Sequence, residues 1–239
     1  MSYWDGMTKV EAISYLQAEL KEKYGEEFVV KKMYKTGATY YTSSDLLAAC
    51  SPKSDESIVF EVEVDLIGDK ENHKRILYDT YIQSIVGREM RTIAEQILSK
   101  YVDNFAVEVY VWGIPSAYDS GIRSADEATI ENHTNAIPEK NGSTIWIAFD
   151  INEFNSDFER TEEYVKEIID EYYLTNGVFS CYFVSSDIVE DCKKKITEHH
   201  KNDSYDMIGD MEVTLSPHGP TCTYHFKGND DEIYPSIYS

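Results

Sequence analysis

The sequence predicts an α+β protein, with an antiparallel or mixed sheet, helices packed on one side, and two helix-on-sheet halves. Three stretches between Ser57 and Trp112 carry that expectation. In the first, Ile58, Phe60, Val62, Val64 and Leu66 alternate with Val59, Glu61, Glu63 and Asp65. Period-two alternation marks a strand with one buried face, and here the other face is mostly acidic. In the second, Ile82, Ile85, Val86, Ile93, Ile97 and Tyr101 recur at helical spacing, which predicts a helix of about five turns lying on the sheet. In the third, Phe105, Val107, Val109 and Val111 alternate with Glu108 and Tyr110, so the chain returns as a strand. A strand, a covering helix and a returning strand can share one core. That core is expected to include Phe60, Val62, Ile85, Ile93, Val107, Val109, Ile147, Ile168 and Phe183.

From the start of the chain, Thr8 and Glu11 have the spacing of a capping box, in which a hydroxyl and a carboxylate satisfy free amides at a helix start. Val10, Ile13, Leu16, Leu20 and Tyr24 give the predicted stripe of that helix, and Gly25 stands where a left-handed terminating residue is needed. Glu27 to Tyr34 and Ala38 to Thr42 are expected as two strands around Thr36-Gly37. Leu46 to Cys50 is expected as a short helical turn, and Gly68 to Lys74 as a polar turn before Tyr78-Asp-Thr-Tyr81 and the long helix.

The run from Tyr15 to Phe28, which contains Lys23-Tyr-Gly25, is followed by Phe60-Glu-Val-Glu-Val64 and Tyr78-Asp-Thr-Tyr81. This layout resembles uncharacterised small proteins and lipoproteins of Gram-positive bacteria of the Firmicutes type. They recur as helix, Lys-Tyr-Gly, strands, Phe-x-Val, Asp-x-Tyr, helix, and the resemblance covers roughly the first 100 residues. It implies a bacterial source and an α+β module, and brings no activity with it. Many of those proteins begin with a lipoprotein signal, which this sequence lacks at its first residues.

Gly113 to Ser143 is rich in Ser, Asn, Asp and Gly, carries Pro115 and Pro138, and is expected to be a long loop or linker. Residues 1–112 and 144–239 would then form the two halves, as separate units or as one continuous domain. In the second half Thr144 to Asp150 predicts a strand. Phe158, Thr161, Val165, Ile168 and Tyr172 predict a helix behind a Ser156–Glu159 capping box, and Val178 to Val184 a central strand. Asp187 and Glu190 are expected at a short helix with Val189, Cys192 and Ile196 inside, and Met211–Leu215 and Thr221–Phe226 as a final hairpin.

Composition narrows the function. The 44 Asp and Glu residues outnumber 22 Lys and Arg, for a formal net charge of −22. Such a surface repels nucleic acid and anionic lipid and favours a basic protein partner. No apolar run approaches the roughly 20 residues of a membrane span, and no basic region followed by an apolar one opens the chain. A cytoplasmic protein is expected, or an extracellular one if an export signal has been removed.

The four cysteines, Cys50, Cys181, Cys192 and Cys222, form no Cys-x-x-Cys pair, so reduced, buried thiols are expected. His218, Cys222 and His225 are ligand types at close spacing. On a strand, however, Cys222 and His225, three apart, would point to opposite faces, so no metal is expected. Neither a Gly-rich phosphate loop nor a Gly-x-Ser-x-Gly or His-Glu-x-x-His motif is present, and no cofactor is expected. With 19 Tyr and 3 Trp, aromatics on acidic faces are the candidates for recognition. The expected contact residues are Glu61, Glu63, Glu108, Tyr110 and Trp112. The expected function is a non-catalytic acidic binding module of the inhibitor or immunity kind. The alternative is a hydrolase or transferase with an unfamiliar Cys/His or metal site.

Overall fold

The computed structural model describes residues 3–35, 46–67, 74–111, 120–136, 142–154, 159–172, 177–197, 209–215 and 221–226. The fold is α+β, with one antiparallel and one mixed sheet packed against helices. Contacts group residues 1–85 with 113–136 and residues 86–112 with 137–239, so the division falls inside a helix, between Ile85 and Val86. Among the described residues no helix is long and apolar enough to cross a membrane.

In the first unit, α1 (Lys9–Tyr24) opens on the expected capping box. The Glu11 amide donates to Thr8 Oγ1 at 3.3 Å, and the Thr8 amide donates to Glu11 Oε2 at 2.7 Å. Gly25 closes the helix at φ 75°, where a side chain would be strained, and its amide reaches the Lys21 carbonyl. The buried stripe differs from the expected one. Ala12, Leu16, Leu20 and Tyr24 are buried, while Val10 is 72% exposed. These four residues form a straight i, i+4 ridge, and the small Ala12 has no hydropathy signal that would single it out.

The first sheet is antiparallel in the order β1 (Phe28–Lys35), β2 (Leu46–Pro52), β3 (Phe60–Ile67), β4 (Lys74–Asp79). The alternation of β3 is as read: Phe60, Val62 and Val64 are buried, Glu61 is exposed and Glu63 half-buried. Two elements are corrections. Leu46–Pro52 is a strand and not a helical turn, because β1 and β3 pair on either side of it and it is buried on both faces. A short apolar run buried on both faces has no period to reveal it. Lys74–Asp79 is a strand as well, held by its register on β3. The expected strand at Ala38–Thr42 lies outside the described residues.

The core of this unit is aromatic. The Tyr81 ring lies 4.9 Å from those of Tyr24 and Phe60 and 5.2 Å from Phe28. Asp79, its side chain fully buried, accepts from the Tyr24 hydroxyl at 2.7 Å, the Tyr81 amide at 3.0 Å and Lys23 Nζ at 2.9 Å. This carboxylate joins the end of α1 to the start of α2 (Tyr81–Leu98). The buried stripe of α2 runs through Tyr81, Ile82, Val86, Met90, Ala94, Ile97 and Leu98, and the expected core residues Ile85 and Ile93 flank it half-buried.

The 113–143 stretch also departs from the expected loop. Ala125–Glu127 is a 3₁₀ turn and Ile130–Ala136 is a helix, α3, with Ile122, Ala128 and His133 buried nearby in sequence. A three-residue 3₁₀ turn and a seven-residue helix give too few residues for a period to emerge from so polar a composition. His133 is 1% exposed and its Nε2 has no hydrogen-bond partner. Burial alone pushes its pKa below the ordinary 6.5. The unfolded chain therefore binds a proton that the folded one refuses, and stability falls as pH drops from about 7 towards 5. Replacing His133 by Leu is expected to flatten that slope, as measured by urea midpoints across the range. An unchanged slope would show that other groups set it.

The second sheet has the order β5 (Phe105–Val111), β6 (Ser143–Asp150), β7 (Gly177–Val184), β8 (Gly209–Leu215), β9 (Thr221–Phe226). The β6–β7 pair is parallel and the others are antiparallel. A parallel pair needs a crossover, supplied by α4 (Ile151–Phe154) and α5 (Glu159–Tyr172). Val107, Ile145, Ile147, Phe149, Phe179, Cys181 and Phe183 share one buried face. On that side α2 comes close to β5 at Gly87, where a Cβ would sit 3.3 Å from the Val109 carbonyl oxygen and 3.5 Å from Val111. The opposite face is covered at one end by α6 (Ser186–Thr197), whose Val189 and Cys192 pack on Ala106, Ala148 and Val184.

Candidate functional site

Beyond the end covered by α6, the outward face of the second sheet carries two rows of residues set by register. One runs Glu108, Trp146, Ser180, and the next Tyr110, Thr144. Tyr110 is 49% exposed and Trp146 38%, while Glu108, Thr144 and Ser180 are half-buried. Trp146 stands outward because Ile145, Ile147 and Phe149 take the core side of β6 and period two sends every other residue away from it. Two partly exposed rings and a carboxylate, mounted on paired strands, form a stiff acidic and aromatic patch. Each ring offers large area at little cost in side-chain entropy.

Of the residues expected to make contacts, Glu108 and Tyr110 are on this face and Trp112 lies outside the described residues. Glu61 and Glu63 belong to the first unit, on the outward face of β3, where Glu61 stands opposite Ala49 and Glu63 between Leu47 and Tyr78. Trp146 was missed as a contact residue. The alternation of Thr144 to Asp150 held the signal, since it leaves the indole on the side opposite three large aliphatic and aromatic residues.

A second polar cluster sits at the carboxyl end of β6, beside the parallel pair, where open α/β sheets commonly bind ligands. The buried Asp150 accepts from Asn104 Nδ2 at 3.1 Å, from the Asn152 amide and Nδ2 at 3.0 Å each, and from the Ser186 hydroxyl. Burial pushes the Asp150 pKa up, but the bonds from Ser186, Asn152 and Asn104 outweigh it and hold the carboxyl below its usual range. Lys193 Nζ completes the cluster on Asn104 Oδ1 at 2.7 Å. Asn104 directly precedes β5, Asn152 lies in α4 and Ser186 opens α6, so the carboxylate ties these segments to the end of β6.

Cys50, Cys181 and Cys192 are buried and unbridged. Burial, and then the charge of Asp79, push the Cys50 thiol up to about 12, so it stays protonated and is no nucleophile at neutral pH. His218 lies outside the described residues. On β9, Cys222 is paired with Val213 and His225 with Asp210, an odd number of residues apart along the strand. Among the described residues no group of three or more His, Cys, Asp or Glu is arranged to hold a metal ion.

The fold and this face define a two-sheet α+β protein with an acidic, aromatic sheet surface. No family model and no curated protein matches the chain. Among solved structures the chain is similar to a DUF5037 family protein from Ruminococcus gnavus. The TM-score is 0.60 and the identity 16%, over 86% of this chain and 91% of that one. At that identity the likeness concerns the fold.

Proposed function

We propose that this is a non-catalytic binding protein whose acidic, aromatic surface engages a basic protein, in the manner of an inhibitor or immunity protein. The observation that carries the reading is the pairing of Glu108 with the partly exposed Tyr110 and Trp146 on one stiff sheet face. A net charge of −22 speeds encounter with a basic partner, while buried rings hold the complex once formed. Glu61 and Glu63 add to the attracting field from the first unit. A bacterial source of the Firmicutes type belongs to the same proposal and rests on the layout of Lys23-Tyr-Gly25, Phe60-Glu-Val62 and Asp79-Thr-Tyr81.

The test is affinity capture from source-cell lysate at low and high salt, followed by association kinetics with the captured partner. Association is expected to slow steeply with salt, because exposed charges are screened within about 10 Å at 0.1 M. Charge reversal by Glu61→Lys, Glu63→Lys and Glu108→Lys together is expected to slow association by about tenfold or more. Trp146→Ala is expected to speed dissociation by roughly tenfold or more. A specific partner indifferent to salt, to the reversal and to Trp146→Ala overturns the reading.

A further inference from the structure

Among the described residues, the terminal strands of the two sheets are not treated alike. β1 ends the first sheet with a register shift between Val30 and Lys32 and carries Lys31, Lys32 and Lys35. Bulges and lysines are the usual protection of a sheet edge against strand pairing. β4, at the other end, carries Lys74 and Arg75. β5 has neither device. Its seven residues, Phe105-Ala-Val-Glu-Val-Tyr-Val111, match β6 one to one without a shift and include no Lys, Arg, Pro or Gly.

Burial along β5 is less complete than along the strands inside the sheet. On the helix-covered face, Ile145, Ile147 and Phe149 of β6 are fully buried, as are Phe179, Cys181 and Phe183 of β7. On that same face of β5, Val107 and Val111 are buried, while Phe105 and Val109 are only half-buried. On the outward face β5 presents Glu108 and the 49% exposed Tyr110. β9, the terminal strand at the far side, reads Thr-Cys-Thr-Tyr-His-Phe and offers no carboxylate to a basic ligand.

We infer that β5 is an acceptor edge, on which an extended segment of the partner, with basic and apolar residues alternating, adds as a further strand. The inference rests on the proposed binding reading and specifies its mode. Side chains directly across a strand pair lie about 5 Å apart. Lys or Arg of the incoming strand would stand beside Glu108 and Tyr110, and its apolar residues would complete the cover of Phe105 and Val109. Main-chain hydrogen bonds supply affinity in such strand addition, and the alternate pockets supply specificity.

The experiment uses the full chain and three synthetic peptides of equal charge. One alternates Lys with Val and Thr, the second is the same peptide with alternate amides N-methylated, and the third is a helix-forming Lys/Ala peptide. Fluorescence anisotropy reads affinity, and amide hydrogen exchange reads protection along 105–111. The alternating peptide is expected to bind about tenfold or more tightly than either control and to slow exchange in β5. Equal binding of the N-methylated peptide, or binding without added protection in β5, overturns the acceptor edge. If that binding still depends on Trp146, docking on the outward face stands without strand addition. Failure of all three peptides to bind also overturns the acceptor edge, and the capture experiment then judges the face independently.

Discussion

Phe60→Ala is expected to destabilise the first unit by about 3–5 kcal/mol, the usual cost of emptying a large aromatic from a packed core. Phe60 is 2% exposed, lies edge-on to Phe28 with centroids 5.6 Å apart, and sits 4.9 Å from Tyr81. The neighbouring rings belong to β1 and to the start of α2, so relaxation to fill the void would have to move two elements. Hydrogen exchange of the β2 and β3 amides under mild urea reads the unit directly, without assuming that the whole chain unfolds in one step. Phe60→Leu is expected to recover much of the loss. A cost near 1 kcal/mol for the alanine variant would mean that the ring cluster collapses freely and does not organise the unit.

Asp79→Ala is expected to cost about 2–4 kcal/mol, because it leaves two buried donors without acceptors. The Tyr24 hydroxyl and the Tyr81 amide both point at Asp79 Oδ1, at 2.7 and 3.0 Å. Lys23, with its side chain 21% exposed, can turn towards water and adds less. A double-mutant cycle separates the contributions. If the carboxylate works through the tyrosine, Tyr24→Phe should cost much less in the Asp79→Ala background than alone. Additive costs would assign the effect of Asp79 to the backbone amide at the start of α2.

Elements whose evidence lies within one run of residues were legible. Phe60, Val62 and Val64 declare their face against Glu61 and Glu63, since period two needs no partner to be visible. Thr8, Glu11 and Gly25 mark both ends of α1 because caps are local chemistry. The central strand Gly177–Val184 was legible as one apolar run, Val178–Val184, and the final hairpin as two short runs around Pro217-His-Gly-Pro220. Elements defined by distant neighbours were not. Leu46–Pro52 is a strand because β1 and β3 flank it, and Lys74–Asp79 because β3 aligns it.

The binding face divides along the same line. That Glu108 and Tyr110 oppose the core of β5 follows from alternation alone. That they stand beside Trp146 and Thr144 follows from the antiparallel register of strands more than thirty positions apart. In a chain with 44 acidic residues, nothing local marks Asp79 and Asp150, which among the described residues become buried latches. Their partners arrive from α1 in one case and from β5 and α6 in the other. Side-chain periodicity and caps are short-range properties written into adjacent residues. Burial and pairing depend on which surfaces the folded chain brings together, and those contacts settle which of many similar carboxylates and rings acquire a role.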